Sequence, residues 1–151
     1  MTKFEKGIAL GCDHAGYALK EILKAYLKDN NISFEDFGTN SEESVDYPDF
    51  VHPVGFGIET GKFNAGIIIC GSGNGVNMTV NKYPSVRSAL CWEKEIASMA
   101  RLHNDANIIA IPARYVAPEK ALEILEAFLQ TEFEGGRHLK RVEKIRMGIM
   151  Q

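Results

Sequence analysis

Ala65-Gly66-Ile67-Ile68-Ile69-Cys70-Gly71-Ser72-Gly73-Asn74-Gly75 is the stretch that decides the fold. Its first six residues are uncharged, apolar and rich in β-branched side chains. That is the composition of a short strand covered on both faces. The glycines at 71, 73 and 75 then turn the chain into a short helix expected near Val76 to Asn81. A buried strand followed by a glycine turn and a helix is the repeating unit of a parallel α/β sheet.

The same alternation extends in both directions. Gly7 to Cys12 reads as a first buried strand, and Leu19, Ile22, Leu23, Tyr26 and Leu27 then recur at helical spacing. Ser33 to Phe37 is a second strand. Val45-Asp46-Tyr47-Pro48 enters a helix expected from about Asp49 towards Thr60, with Pro48 tolerated in its first turn. Ser88 to Trp92 and Asn107 to Ile111 are the fourth and fifth strands, with a helix over Glu93 to His103 between them. Pro118 opens a helix carrying Leu122, Leu125, Phe128 and Leu129, and a basic helix begins near Arg137 after Glu134-Gly135-Gly136. Strands each followed by a helix imply a parallel sheet with helices on both faces.

No linker, repeat or low-complexity tract divides the 151 residues, so a single domain over 1–151 is expected. The chain is 45% hydrophobic and 25% charged, which supports a real core. The net charge is −3 and no long basic run occurs, which argues against a nucleic-acid partner. No stretch approaches the roughly 18 apolar residues of a membrane span, and Met1 to Gly7 is no secretory leader. A cytosolic protein is therefore expected. Cys12, Cys70 and Cys91 contain no C-x-x-C pair and suggest neither a disulfide framework nor a zinc site.

In parallel sheets ligands bind beyond the carboxyl ends of the strands. That rule selects Gly11 to His14, Cys70 to Gly75, Cys91-Trp92 and Pro112 to Arg114. The loop after Cys70 lacks the Lys-Ser/Thr of a Walker A motif and suits a small oxyanion. N–H groups at a helix start favour a thiolate, so Cys70 could abstract a proton from carbon while nearby N–H groups hold the enolate oxygen. A buried thiol at a turn fits the residues equally well. Asp13 could bond substrate hydroxyls or simply cap a helix. His14 could face a phosphate or solvent, and His103 could serve only as a helix-dipole partner. Arg137 and Arg141 lie four apart on one helical face, with Lys144 a turn further, and a phosphate would neutralise them. Arg114 is another candidate phosphate contact.

Taken together, Gly11-Cys12-Asp13-His14, Asp46-Tyr47-Pro48, Ile69 to Gly75, Asn81-Lys82, His103-Asn104-Asp105 and Glu134 to His138 resemble the B-type ribose-5-phosphate isomerase family, which also includes the galactose-6-phosphate isomerase subunits. The resemblance covers nearly the whole chain. It implies a Rossmann-like three-layer α/β/α sandwich on a five-stranded parallel sheet of order 2-1-3-5-4. It implies a homodimer or tetramer with shared active sites, with the helix at about 137–148 packing on a partner subunit. No metal or organic cofactor is implied. The implied reaction interconverts ribose 5-phosphate and ribulose 5-phosphate through a cis-enediolate, a step of the pentose phosphate pathway.

By the same resemblance Cys70 moves the proton and Ser72, where many members have threonine, assists it between the substrate oxygens. The Gly71, Gly73, Asn74 and Gly75 amides hold the enediolate, although Asn74 stands where a hydrophobic residue is expected. Asp13 and Tyr47 contact the sugar. His103, from the partner subunit, opens the ring with Asn104 nearby. His14, Arg114, Arg137 and Arg141 grip the phosphate. The alternatives are a related isomerase for allose 6-phosphate or galactose 6-phosphate, and a non-catalytic sugar-phosphate-binding protein on the same scaffold. A flavin or nucleotide protein would need a larger phosphate loop or stacking aromatics beside it.

Overall fold

The structure, a computed structural model, describes residues 4–147. Five strands, β1 (Ile8–Cys12), β2 (Phe34–Asp36), β3 (Ala65–Cys70), β4 (Ser88–Leu90) and β5 (Ile108–Pro112), form one sheet. All pair in parallel, in the order β2-β1-β3-β5-β4. Six α-helices accompany them: α1 (Tyr17–Asp29), α2 (Tyr47–Glu59), α3 (Asn74–Val80), α4 (Lys94–Asn104), α5 (Pro118–Gln130) and α6 (Leu139–Met147). The order is the one the resemblance implied. None of the described helices is long and apolar enough to cross a membrane.

The period-2 alternation of β3 shows why it lies at the centre. Ile67 and Ile69 point to one face, where α1, α4 and α5 contribute Leu23, Leu27, Ala97, Ile124 and Phe128. Ile68 and Cys70 point to the other, where α2 and α3 contribute Val51, Val54, Val76 and Val80. Each sealed isoleucine is worth about 1.5–3 kcal/mol, so a polar residue anywhere in 67–69 would break the sandwich.

The helices after β1 and β3 depart to opposite faces of the sheet, although these strands are hydrogen-bonded neighbours. Their loops diverge and leave a crevice at the carboxyl edge, which is the topological switch point of a doubly wound sheet. This positions everything that follows.

Several boundaries differ from the sequence expectation. Helix α2 begins at Tyr47, two residues earlier than expected. Gly55 and Gly57 do not weaken it, because a Cβ at either would press into the Tyr83 or Phe63 ring; they permit close packing. Strand β4 ends at Leu90, leaving Trp92 exposed beyond the ladder. In α1, Ile22 is 38% exposed while Lys20 is fully buried. The buried stripe is rotated because Lys20 finds acceptors at the end of β2. The basic helix begins as a 3-10 turn, Gly136–His138, before α6. The expected helix end at 148 and the remainder of the 1–151 domain lie outside the described residues.

Candidate active site

Cys70 closes β3 with its carbonyl accepting from Ala113 N at 2.9 Å, while Gly71 O accepts from Arg114 N at 3.0 Å. The glycine loop is thus laced to the turn after β5. Gly73 takes φ +74°, a conformation that L side chains rarely adopt, and its N–H donates to Cys70 Sγ at 3.1 Å. An N–H donor held there solvates negative charge on sulfur. Ser72 Oγ accepts from Asn74 N at 3.3 Å. The Tyr47 ring covers Gly75, where a Cβ would collide with it.

Asp13, Tyr47, Cys70, Gly71, Ser72, Gly75, Arg114 and Tyr115 line a cavity of about 360 Å³ at the switch point. That lies within the roughly 300–1,000 Å³ range of small-ligand sites. Asp13 does not cap α1, whose N-cap is Gly16, but it braces the turn that leads into it. One oxygen, Oδ1, accepts from Ala15 N at 2.9 Å and Gly16 N at 3.2 Å at the approach to α1, and the residue still borders the cavity. His14 Nδ1 accepts from Val45 N at 3.2 Å, which assigns the ring proton of the neutral imidazole to Nε2. His14, Gly73 and Asn74 are not among the lining residues; Gly73 acts through its bond to sulfur.

The remaining candidates lie away from this cavity. His103 stacks on His138, with ring centroids 4.2 Å apart and planes inclined by 14°. Glu134 Oε2 lies 3.2 Å from His138 Nε2 and 3.8 Å from His103 Nε2. Rings this parallel send their in-plane lone pairs side by side instead of converging them on one ion, so the trio is built as a stack beside a carboxylate. Gly135 and Gly136 both have positive φ, and the turn they make places His138 against His103. Arg141 Nη1 donates to Arg137 O at 3.3 Å, and both arginines are exposed. Asn104 lies in another hollow, with Asn81, Ser88 and Ile145. None of His103, Asn104, Arg137 and Arg141 lines the Cys70 cavity.

Cys12 and Cys91 are structural. Burial pushes the Cys12 thiol up to about 12, against the opposing pull of the Lys20 ammonium, and burial alone does the same to Cys91. Sequence reading missed Tyr115, although it directly follows Arg114. It also missed Glu134 and His138 as companions of His103, because only the fold brings 134–138 back onto the end of α4.

Fold and site together define a doubly wound α/β protein with a thiol and an amide-lined glycine loop at its switch point. Residues 8–145 match the family described as Ribose/Galactose Isomerase. The chain belongs to that family. It is 41% identical over 140 residues to ribose-5-phosphate isomerase B of Escherichia coli K12, covering 93% of this chain and 94% of the relative. Among solved structures, a ribose 5-phosphate isomerase from Thermotoga maritima superposes with a TM-score of 0.91 at 45% identity, covering 93% of this chain and 97% of the other. Ribose-5-phosphate isomerase B from Mycoplasma genitalium with bound ribulose-5-phosphate superposes with a TM-score of 0.92 at 35% identity, covering 96% and 97%.

Proposed function

We propose that this protein is an aldose–ketose isomerase interconverting ribose 5-phosphate and ribulose 5-phosphate, with Cys70 as the base. The observation that carries this reading is the Cys70 sulfur at the cavity, held by the Gly73 N–H at 3.1 Å. The thiolate takes the C2 proton of the open-chain aldose. The C–H electrons become the C1=C2 bond of a cis-enediolate, and the carbonyl oxygen becomes the alkoxide. Amides of the 71–75 loop stabilise that charge. Ser72 passes a proton between O1 and O2, and the thiol returns its proton to C1, giving the ketose. Asp13 and Tyr47 orient the sugar hydroxyls. Proton abstraction by a positioned side chain contributes typically 10²–10⁴-fold.

The separation of His103, Asn104, Arg137 and Arg141 from the Cys70 cavity supports a site completed by a second copy of the chain. On this reading His103 of the partner subunit opens the ring, with Asn104 beside it. Arg137 and Arg141 of the partner subunit join His14 and Arg114 around the phosphate. The helix expected at about 137–148 then packs on that partner, and the working unit is a homodimer or a pair of them. A cytosolic place in pentose-phosphate metabolism follows from the substrate.

The test follows solvent-deuterium incorporation at C1 or C2 during ribose 5-phosphate turnover. Cys70→Ser is expected to lose isomerisation and exchange together, by about 10²-fold or more. Unchanged exchange in that variant removes Cys70 as base. Higher turnover on allose 6-phosphate or galactose 6-phosphate than on ribose 5-phosphate reassigns the substrate. Binding without any turnover in the wild type makes the protein a sensor.

A further inference from the structure

Lys20 has no exposed surface, yet it carries an ammonium. A buried charge is retained at a cost of several kcal/mol unless it is paired and hydrogen-bonded. Here Nζ lies 2.7 and 2.8 Å from the two oxygens of Asp36, donates to Thr39 O, and reaches Asn40 Oδ1 at 3.5 Å. Asp36 in turn accepts from Lys24 Nζ at 2.8 Å and Gly38 N at 2.9 Å. Burial pushes the Asp36 carboxyl up, but the Lys20, Lys24 and Gly38 bonds outweigh it and hold it below its ordinary range.

The clamp closes on the turn that leads to the site. Cys12 N donates to Gly38 O at 2.7 Å and Thr39 N donates to Cys12 O at 2.8 Å, so residues 38 and 39 are laced to the last residue of β1. Asp13 and His14 follow on one side. On the other the chain runs on to Val45, whose N–H bonds His14 Nδ1, and to Tyr47, whose ring covers Gly75. The chain from 38 to 47 thus joins the Lys20 cage to two of the proposed substrate contacts.

We infer that Lys20 is a positioning residue: its sealed ammonium anchors the 38–40 turn so that the following chain fixes His14 in its Nε2–H tautomer and lays Tyr47 over the glycine loop. This rests on the proposed roles of His14 and Tyr47, but its first readout does not. Long-range proton–nitrogen NMR of the ligand-free protein reports the tautomer of His14 whatever the substrate is.

Lys20→Met replaces the side chain at similar length and leaves Asp36 its bonds to Lys24 and Gly38, so the fold retains a counter-charge. The expected result is a mixed His14 tautomer and a KM for ribose 5-phosphate raised about tenfold, with kcat within about twofold. Leu125→Ala, a buried α5 change in the core cluster that α1 also packs on, is the stability control. It is expected to lower Tm with no change in tautomer or KM. A pure Nε2–H His14 and an unchanged KM in Lys20→Met overturn the inference, as does an equal KM rise in Leu125→Ala. If Lys20→Met does not fold, Asp36→Asn, which removes the counter-charge and keeps the lysine, is read by the same criteria. A wild type that binds but does not isomerise ribose 5-phosphate sinks the functional reading while the tautomer still decides the role of Lys20.

Discussion

At the residue scale the three cysteines separate by environment. Cys12 and Cys91 are fully buried with thiols pushed up to about 12, whereas Cys70 borders a cavity. Only the thiolate alkylates. Iodoacetamide at pH 7–9 is therefore expected to label Cys70 alone, with loss of activity in step with one adduct per chain. Peptide mass spectrometry checks this, and early labelling of Cys12 or Cys91 contradicts it. The sign at higher pH follows from the same shifts. A buried thiol raised from its ordinary 9.0 to about 12 favours folding fully below pH 9. That contribution is lost as the pH climbs towards 12, because the unfolded chain releases its protons first. Labelling of the two sealed cysteines is expected only where alkaline unfolding begins.

At the scale of elements the glycine loop and α2 meet at one contact, Gly75 under Tyr47. Tyr47 is 37% exposed, so its ring has room to swing outward. Gly75→Ala should therefore leave Tm within a few degrees while raising KM about tenfold, equivalent to about 1.4 kcal/mol of lost binding. Thermal melts and steady-state kinetics together test this; a large drop in Tm with normal KM would show the contact to be structural. Strands β1, β3 and β5 were legible because uninterrupted apolar runs mark strands covered on both faces, whereas their order came only with the family resemblance. Cys70 and its glycine loop were legible for the same reason, standing where such a strand must end. The rest depended on distance in sequence. Lys20 lies in the apolar face of α1, and nothing local announces that Asp36 and Thr39 fold back to receive it. The stack of His103 on His138 requires the 131–138 segment to return across α4, which no periodicity encodes.

At the scale of the whole molecule, the separation of His103, Arg137 and Arg141 from the Cys70 cavity predicts complementation between defective chains. On the proposed homodimer, Cys70→Ala and Arg141→Ala should each be nearly inactive when pure. In an equal mixture that has exchanged subunits, half the dimers are mixed and each holds one intact site, so about a quarter of wild-type activity should return. No recovery after verified subunit exchange would place the whole site within one chain. The sheet itself has a further effect. Cys12 and Cys91 pack on the face covered by α1 and α5, while Cys70 packs on the face covered by α2 and α3, so the backbone layer stands between them. A sulfenic acid formed on Cys70 by peroxide would find no second thiol in its own chain to condense with. Brief exposure should be reversed by dithiothreitol, and longer exposure should carry the sulfur on to irreversible sulfinic acid. The architecture that shelters two of the sulfurs thereby leaves the third with no repair partner.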